Sequence, residues 1–367
     1  MSSVEVRSFA ENGDLHAADA APVERLDADM SHVLNVLQAM GGKRIEECRA
    51  PEARALPTLD MALRRILRDQ VDDMGIGMEM RLISGPTDEI RARIYVPQND
   101  IVTGLRPMIL FLHGGGFVLG DVDHYDATPR ALAARTGAVV VSAHYRLAPE
   151  HRFPAAHEDA YAAWTWLLEH AESLGGDARR VAIVGEGSGG NLAVNVALRA
   201  RAEEARAPIH LGLVTPMTAM LFDLPSHVQN AGTFPYSTAT LEWAARKLFR
   251  TKDDAHDARM NIAGRVDLAG LPPATIILAE ADPLRSEGEA LADALRRSGV
   301  WVDMTTYEGV THGFFGLYRR ASSAAASPRP SAPELGRMPA TGGKVTPGTY
   351  VGLRGSIVLP SGTRVLI

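Results

Sequence analysis

At 367 residues, 46% of them hydrophobic and 22% charged, the chain has the make-up of a soluble globule long enough for one large core with insertions. Its formal net charge of −6 comes without a basic stripe to neutralise phosphates, which argues against a nucleic-acid partner and leaves a small neutral molecule as the expected ligand. Cys48 is the only cysteine, excluding disulfides within the chain and making a cytoplasmic setting the default, and neither a signal-peptide h-region nor a bilayer-spanning stretch is found.

Residues 1 to 77 read as a helical preface. Leu26, Met30, Val33, Leu34, Leu37 and Met40 recur at helical spacing and stop at Gly41-Gly42, and Leu59, Leu63, Ile66 and Leu67 form a second apolar face. From 78 to about 320 the pattern alternates. Strands are expected over 78–84, 90–96, 107–112, 138–143, 180–185, 209–215, 274–280 and 300–306, with helices over 126–136, 155–170 and 190–204. That alternation predicts an α/β fold with a mostly parallel central sheet and helices on both faces. Residues 221–263 interrupt the rhythm. Ser237 to Leu241 and the apolar positions Trp243, Ala244, Leu248 and Phe249 suggest an inserted helix, either a second cap element or a plain crossover. In the tail, 321–367, the Pro/Ser run Ser327 to Pro333 keeps any helix short, and weak alternation follows from Gly348. Disorder, an edge hairpin and a reading-frame change are the readings considered there, and the tail carries no functional one.

The run Gly185-Glu186-Gly187-Ser188-Gly189-Gly190-Asn191 stands between the strand pattern 180–184 and the helix pattern beginning at Asn191, the setting of a nucleophile elbow. Such a turn needs small residues two positions either side of its centre. Gly187 is flanked in this way by Gly185 and Gly189, whereas Ser188 is flanked by Glu186 and Gly190. The natural frame centres on Gly187, with Ser188 opening the helix. Yet four glycines leave the backbone free to adopt positive φ, so a shifted turn presenting Ser188 is equally open. The same run matches the dinucleotide pattern G-x-G-x-x-G, but the strand 209–215 ends at Thr215-Pro216 without an acid for a ribose hydroxyl. No metal-ligand spacing and no cofactor are implied.

Other motifs agree with the elbow in order and character: His113-Gly114-Gly115-Gly116-Phe117, Tyr145-Arg146-Leu147-Ala148-Pro149-Glu150-His151, Phe153-Pro154-Ala155-Ala156, Asp282-Pro283-Leu284-Arg285 and His312-Gly313-Phe314-Phe315. Together they resemble the hormone-sensitive-lipase-like (bacterial family IV) esterases over residues 78 to 318. The resemblance implies the α/β-hydrolase fold, with the N-terminal helices capping the acyl pocket. It implies a catalytic set of Ser188, Asp282 and His312, an oxyanion hole from the N–H groups of Gly115, Gly116 and Ser188, and an elbow built on Gly185, Gly187 and Gly189. The family's elbow reads Gly, acidic residue, Ser, Ala, Gly, Gly, Asn, so in this chain the nucleophile position falls on Gly187 and the following alanine on Ser188.

In that scheme His312 is the general base and Asp282 orients its ring. Glu287, the nearest rival acid, is expected to point to solvent from a helix. His113 is read as a support of its own loop. His124, Tyr125 and Asp126 are read as the opening of the next helix rather than as pocket lining. The expected activity is carboxylic-ester hydrolysis through a serine acyl-enzyme on small to medium acyl esters, with homo-oligomerisation left open. A ligand-binding protein that keeps the fold and loses the chemistry is the alternative, and residue 187 divides the two.

Overall fold

Strands β3 (Arg106–Leu112), β4 (Val139–His144) and β7 (Ala274–Ala281) carry almost unbroken apolar runs, as strands covered on both faces do. They form the middle of the protein, seen in a computed structural model that describes residues 26–67, 74–98, 104–220 and 222–317, together with two strands at 356–358 and 364–366. With β1 (Ile76–Ser84), β2 (Glu89–Pro97), β5 (Gly176–Glu186), β6 (Leu211–Val214) and β8 (Val302–Thr311) they make an eight-stranded sheet in the order β1-β2-β4-β3-β5-β6-β7-β8. β2 is antiparallel to β1 and β4, and all other neighbours pair in parallel.

Side chains alternate across the sheet and sort the core into two layers. Met108, Leu110 and Leu112 of β3 join Val139, Val141, Ile183 and Leu213 on one face. This layer is closed by α5 (Ala155–His170), α6 (Ser188–Ala202) and α9 (Arg285–Arg297), through residues such as Trp164, Leu192 and Leu291. Ile109 and Phe111 join Val140, Val184 and Ile277 on the other face, covered by α1 (Ala28–Ala39), α3 (Leu59–Ile66) and α4 (Ala127–Thr136). A short α2 (Ala50–Arg54) lies between α1 and α3.

Local chemistry sets the preface and insertion helices. Asp27 caps α1 by accepting the Met30 N–H at 2.6 Å, and Thr58 caps α3 by accepting that of Met61 at 3.3 Å. In the insertion a short α7 (Pro225–Gln229) precedes α8 (Thr238–Leu248), which opens on a Ser237 and Thr240 capping box. The indole of Trp243 on α8 donates to the Cys48 carbonyl at 2.9 Å, joining insertion to preface.

Among the expected boundaries that shift, two bear on the site. The helix expected from 190 begins at Ser188, because the turn before it is complete within one residue. The last strand runs to Thr311 rather than 306, which delivers His312 at its carboxyl end. Of the tail, Ser356–Val358 and Arg364–Leu366 pair antiparallel in a two-stranded sheet separate from the main one, and the remainder lies outside the described residues.

Candidate active site

β5 ends at Glu186 and α6 begins at Ser188, so Gly187 alone makes the turn, with φ +53° and ψ −115°. This is left-handed φ that favours glycine. The turn is fixed by hydrogen bonds from Gly187 N to the Val214 carbonyl at 2.9 Å and from Gly190 N and Met217 N to the Gly187 carbonyl at 3.0 Å each. Its flanking glycines are used up by packing. A Cβ on Gly185 would lie 2.1 Å from the Gly189 carbonyl oxygen, and one on Gly189 would lie 1.9 Å from that of Leu112. Both flanking positions therefore require glycine, and the turn in this structure centres on residue 187.

A side chain at 187 would have room and direction. Its Cβ would stand 3.6 Å from both Cε1 and Nε2 of His312 and 3.9 Å from the Cα of Gly114. The Ser188 hydroxyl instead is fully buried and lies 3.2 Å from the Tyr145 hydroxyl, with no hydrogen bond to His312 among the described residues. Of the three expected catalytic residues the structure thus brings two together. His312 Nδ1 lies 2.8 Å from Asp282 Oδ2, and Asp282 Oδ1 accepts the Leu284 N–H at 2.8 Å. Burial alone would lower the imidazole pKa, but the charge and hydrogen bond of Asp282 outweigh it and the pKa is raised above the ordinary histidine value. The Tyr236 ring meets the imidazole edge-on at 5.1 Å between centroids.

The HGGG loop follows β3 and crosses the elbow. Gly115 and Gly116 have φ of +109° and +61°, and a Cβ on Gly115 would collide with the Leu119 carbonyl at 2.2 Å, so glycine is required there. Their main-chain N–H groups make no hydrogen bond among the described residues, and the N–H of Ser188 opens α6 with no partner in its own helix. Three donors are thereby left beside the elbow. The loop is held from behind by Tyr145, whose hydroxyl donates to the His113 carbonyl at 2.8 Å, and by Arg54, which donates to the Val118 and Ala148 carbonyls at 2.8 Å each. His113 is fully buried, its Nδ1 2.8 Å from the Gly114 carbonyl, and burial followed by the nearby His144 pushes its pKa down to about 3. It stays neutral and structural.

Beside the elbow lies a cavity of about 100 Å³, lined by Gly115, Glu186 and Gly313 together with Leu56 and Leu59 of the preface and Tyr236 of the insertion. The preface and the insertion therefore both border the cavity that Gly115 of the HGGG loop lines.

The comparisons agree with this geometry. The α/β-hydrolase fold family matches residues 109–316. The esterase LipI of Mycobacterium tuberculosis is 38% identical over 262 residues, spanning 70% of this chain and 81% of its own. An ethyl acetate hydrolase of Pseudomonas putida is 34% identical over 295 residues, 79% of this chain and 92% of its own. The crystal structure of a thermostable esterase from Pseudomonas putida superposes with a TM-score of 0.72 at 33% identity, covering 82% of this chain and 92% of that one. The chain belongs to the hormone-sensitive-lipase-like α/β-hydrolase esterases. By family it is a carboxylic-ester hydrolase, and its substrate class is a small-molecule ester. No helix among the described residues is long and apolar enough to cross a membrane.

Within this esterase two sequence expectations are corrected. His124 and Tyr125 line the cavity rather than merely opening α4, which starts two residues later; only Asp126 keeps a purely structural place, bound to Arg93, Arg130 and Tyr95. Glu287 does not face solvent. It is fully buried, bonded to His227 at 3.0 Å and accepting the Thr218 and Ala219 N–H groups at 2.5 and 2.8 Å, because α7 and the loop after β6 cover that side of α9. Tyr145, Tyr236 and Glu186 were assigned no separate role from sequence. The first two come from segments 43 residues before and 76 residues before their partners Ser188 and His312, and only the fold joins them.

Proposed function

We propose that the protein hydrolyses small to medium acyl esters with His312 as general base, Asp282 as the acid that orients it, and the N–H groups of Gly115, Gly116 and Ser188 as oxyanion donors. The attacking oxygen is that of a water molecule on His312 Nε2 above Gly187, since the apex of the elbow carries no hydroxyl. As that oxygen bonds to the ester carbon, its proton passes to His312 and the carbonyl π electrons move onto the oxygen facing the three donors. Collapse of the tetrahedral species breaks the bond to the alcohol, which takes the proton from His312 and leaves the free acid. The observation that supports this reading is the 3.6 Å separation between a Cβ position on Gly187 and His312 Nε2, together with the engagement of the Ser188 hydroxyl by Tyr145.

Turnover of a short-chain chromogenic ester by the parent, Gly187→Ser, Ser188→Ala and the double variant tests it. The parent should be slow and unlabelled by a fluorophosphonate. Gly187→Ser should raise kcat/KM by about 10³-fold or more and become labelled at the new serine, because a hydroxyl then stands where base and donors already converge. Ser188→Ala should change either background little. A parent inactivated by Ser188→Ala and labelled at Ser188 would replace the water route with an acyl-enzyme on Ser188. A Gly187→Ser variant as inert as the parent would remove the reading altogether.

A further inference from the structure

The sheet ends on β1, which pairs with β2 alone, so one side of its main chain has no strand beside it among the described residues. The hydrogen bond from Gln98 N to the Gly75 carbonyl, at 2.9 Å, sets the phase of that pairing. Gly75 and Gln98 extend the register that sets Ile76 against Pro97, and bonded and non-bonded pairs alternate along an antiparallel ladder. Odd-numbered residues of β1 therefore bond to β2, and Met78, Met80 and Leu82 turn their N–H and C=O groups to the open edge. Their side chains share one face of the strand and are 50%, 43% and 60% exposed. Between them stand Glu79 and Arg81, joined by hydrogen bonds of 2.7 and 3.1 Å and both partly in solvent. The strand has no proline, lysine or bulge to blunt it as a template for pairing.

We propose that this edge pairs antiparallel with β1 of a second copy of the chain, about a twofold axis at Met80, joining two sheets into one. Hydrogen bonding limits the register first. A ladder needs outward N–H and C=O groups on both strands, so even-numbered residues must face even-numbered ones. Charge then selects among the registers that remain. An axis at Glu79 or at Arg81 sets that residue against its own copy, and like charges directly opposite repel. An axis at Met80 sets Glu79 against Arg81 of the second copy, and Arg81 against its Glu79. Met78 then faces Leu82, so the exposed apolar side chains of both copies merge on one face. The two strands exchange about six main-chain hydrogen bonds, and each copy offers the same patch. The Glu79 and Arg81 pair within one chain is exposed and contributes little, so it yields to the two cross-strand pairs at small cost. One strand per subunit is a small interface, which sets the expected dissociation constant at about 1–100 µM.

The test is sedimentation velocity of the full chain from about 1 to 300 µM, over which the parent should pass from monomer to dimer. Met80→Lys sets two ammonium groups opposite each other at the axis and should raise the dissociation constant about tenfold or more. Glu79→Arg and Arg81→Glu should each do the same, because each creates two like-charged cross-strand pairs. An equimolar mixture of those two variants should dimerise about as tightly as the parent, since every such pair is then opposite in charge. Recovery on mixing cannot come from a misfolded subunit. The amides of Met78, Met80 and Leu82 should also exchange hydrogen more slowly as protein concentration rises. A parent that stays monomeric, a dimer indifferent to all three substitutions, or a mixture no tighter than its components would overturn the proposal. Slow exchange of those amides at every concentration would give the edge to another segment of the same chain and overturn it equally.

Discussion

Glu186 and Gly187 are neighbours with opposite liabilities, one a buried acid with an oxygen left unpartnered among the described residues and the other a backbone position that a side chain strains. For Glu186 the consequence is a pH-dependent cost. Its carboxyl pKa is raised from 4.5 to about 7, mainly by burial, so the folded state holds the proton more tightly than the unfolded one. The stability this contributes is complete below pH 4.5 and is lost as pH rises through 7, to the order of 2–3 kcal/mol. Glu186→Gln removes the titration, and chemical denaturation should find it gaining stability over the parent at pH 8 relative to pH 4.5. An equal difference at both pH values would show that the carboxyl is solvated. For Gly187, the gain of activity on substitution by serine should come with a loss of about 1–3 kcal/mol, the cost of holding a side chain at φ +53°. At this scale the sequence was readable where a residue's placement follows from its local run, as for His312, which lies against Asp282, and Gly187, which makes the turn before α6. It was silent where a side chain's surroundings come from elsewhere in the chain. Glu287 looked exposed on its helix because nothing nearby in sequence announces that His227, sixty residues earlier, covers it.

Among the elements, the strands buried on both faces declared themselves by composition, and α5 falls on the very residues its pattern marks, Ala155–His170. Elements defined by what they touch were harder. α2 is only five residues long, without a periodic signal, yet its Arg54 reaches the HGGG loop at Val118, the following loop at Ala148, and the carboxylate of Glu150 at 2.7 Å. The ion pair is partly exposed and contributes little by itself; the two carbonyl contacts locate the HGGG loop against the preface. Arg54→Ala should therefore lower kcat about tenfold in the Gly187→Ser background with a smaller change in KM, because donors displaced by a fraction of an ångström serve the transition state less well than the ground state. Arg54→Lys, which can reach one carbonyl but not both, should fall between. A change confined to KM would assign Arg54 to substrate access instead.

For the molecule as a whole, the preface is first in sequence and among the last parts that can find their place. Asp27 N donates to the Gly309 carbonyl at 2.8 Å, the Thr311 hydroxyl contacts the Met30 sulfur 281 residues away, and Trp243 bonds to Cys48 across 195. During synthesis at about 5–20 residues per second, α1 therefore waits roughly 15–60 s for the strand that will hold it. Through that interval its apolar stripe of Met30, Val33, Leu34 and Leu37 lacks the β8 part of its seat, including Val310. Ribosome-stalled chains ending near residue 290 should consequently be cleaved by added protease within 26–67, while chains stalled with 317 and the residues after it outside the exit tunnel should resist. Equal resistance at both lengths would mean that the preface docks on the earlier strands alone. The same hydrogen bond that ties the preface to the strand leading into His312 in the finished protein cannot form until nearly the whole described chain has been made, so the preface is held at both ends of the sequence.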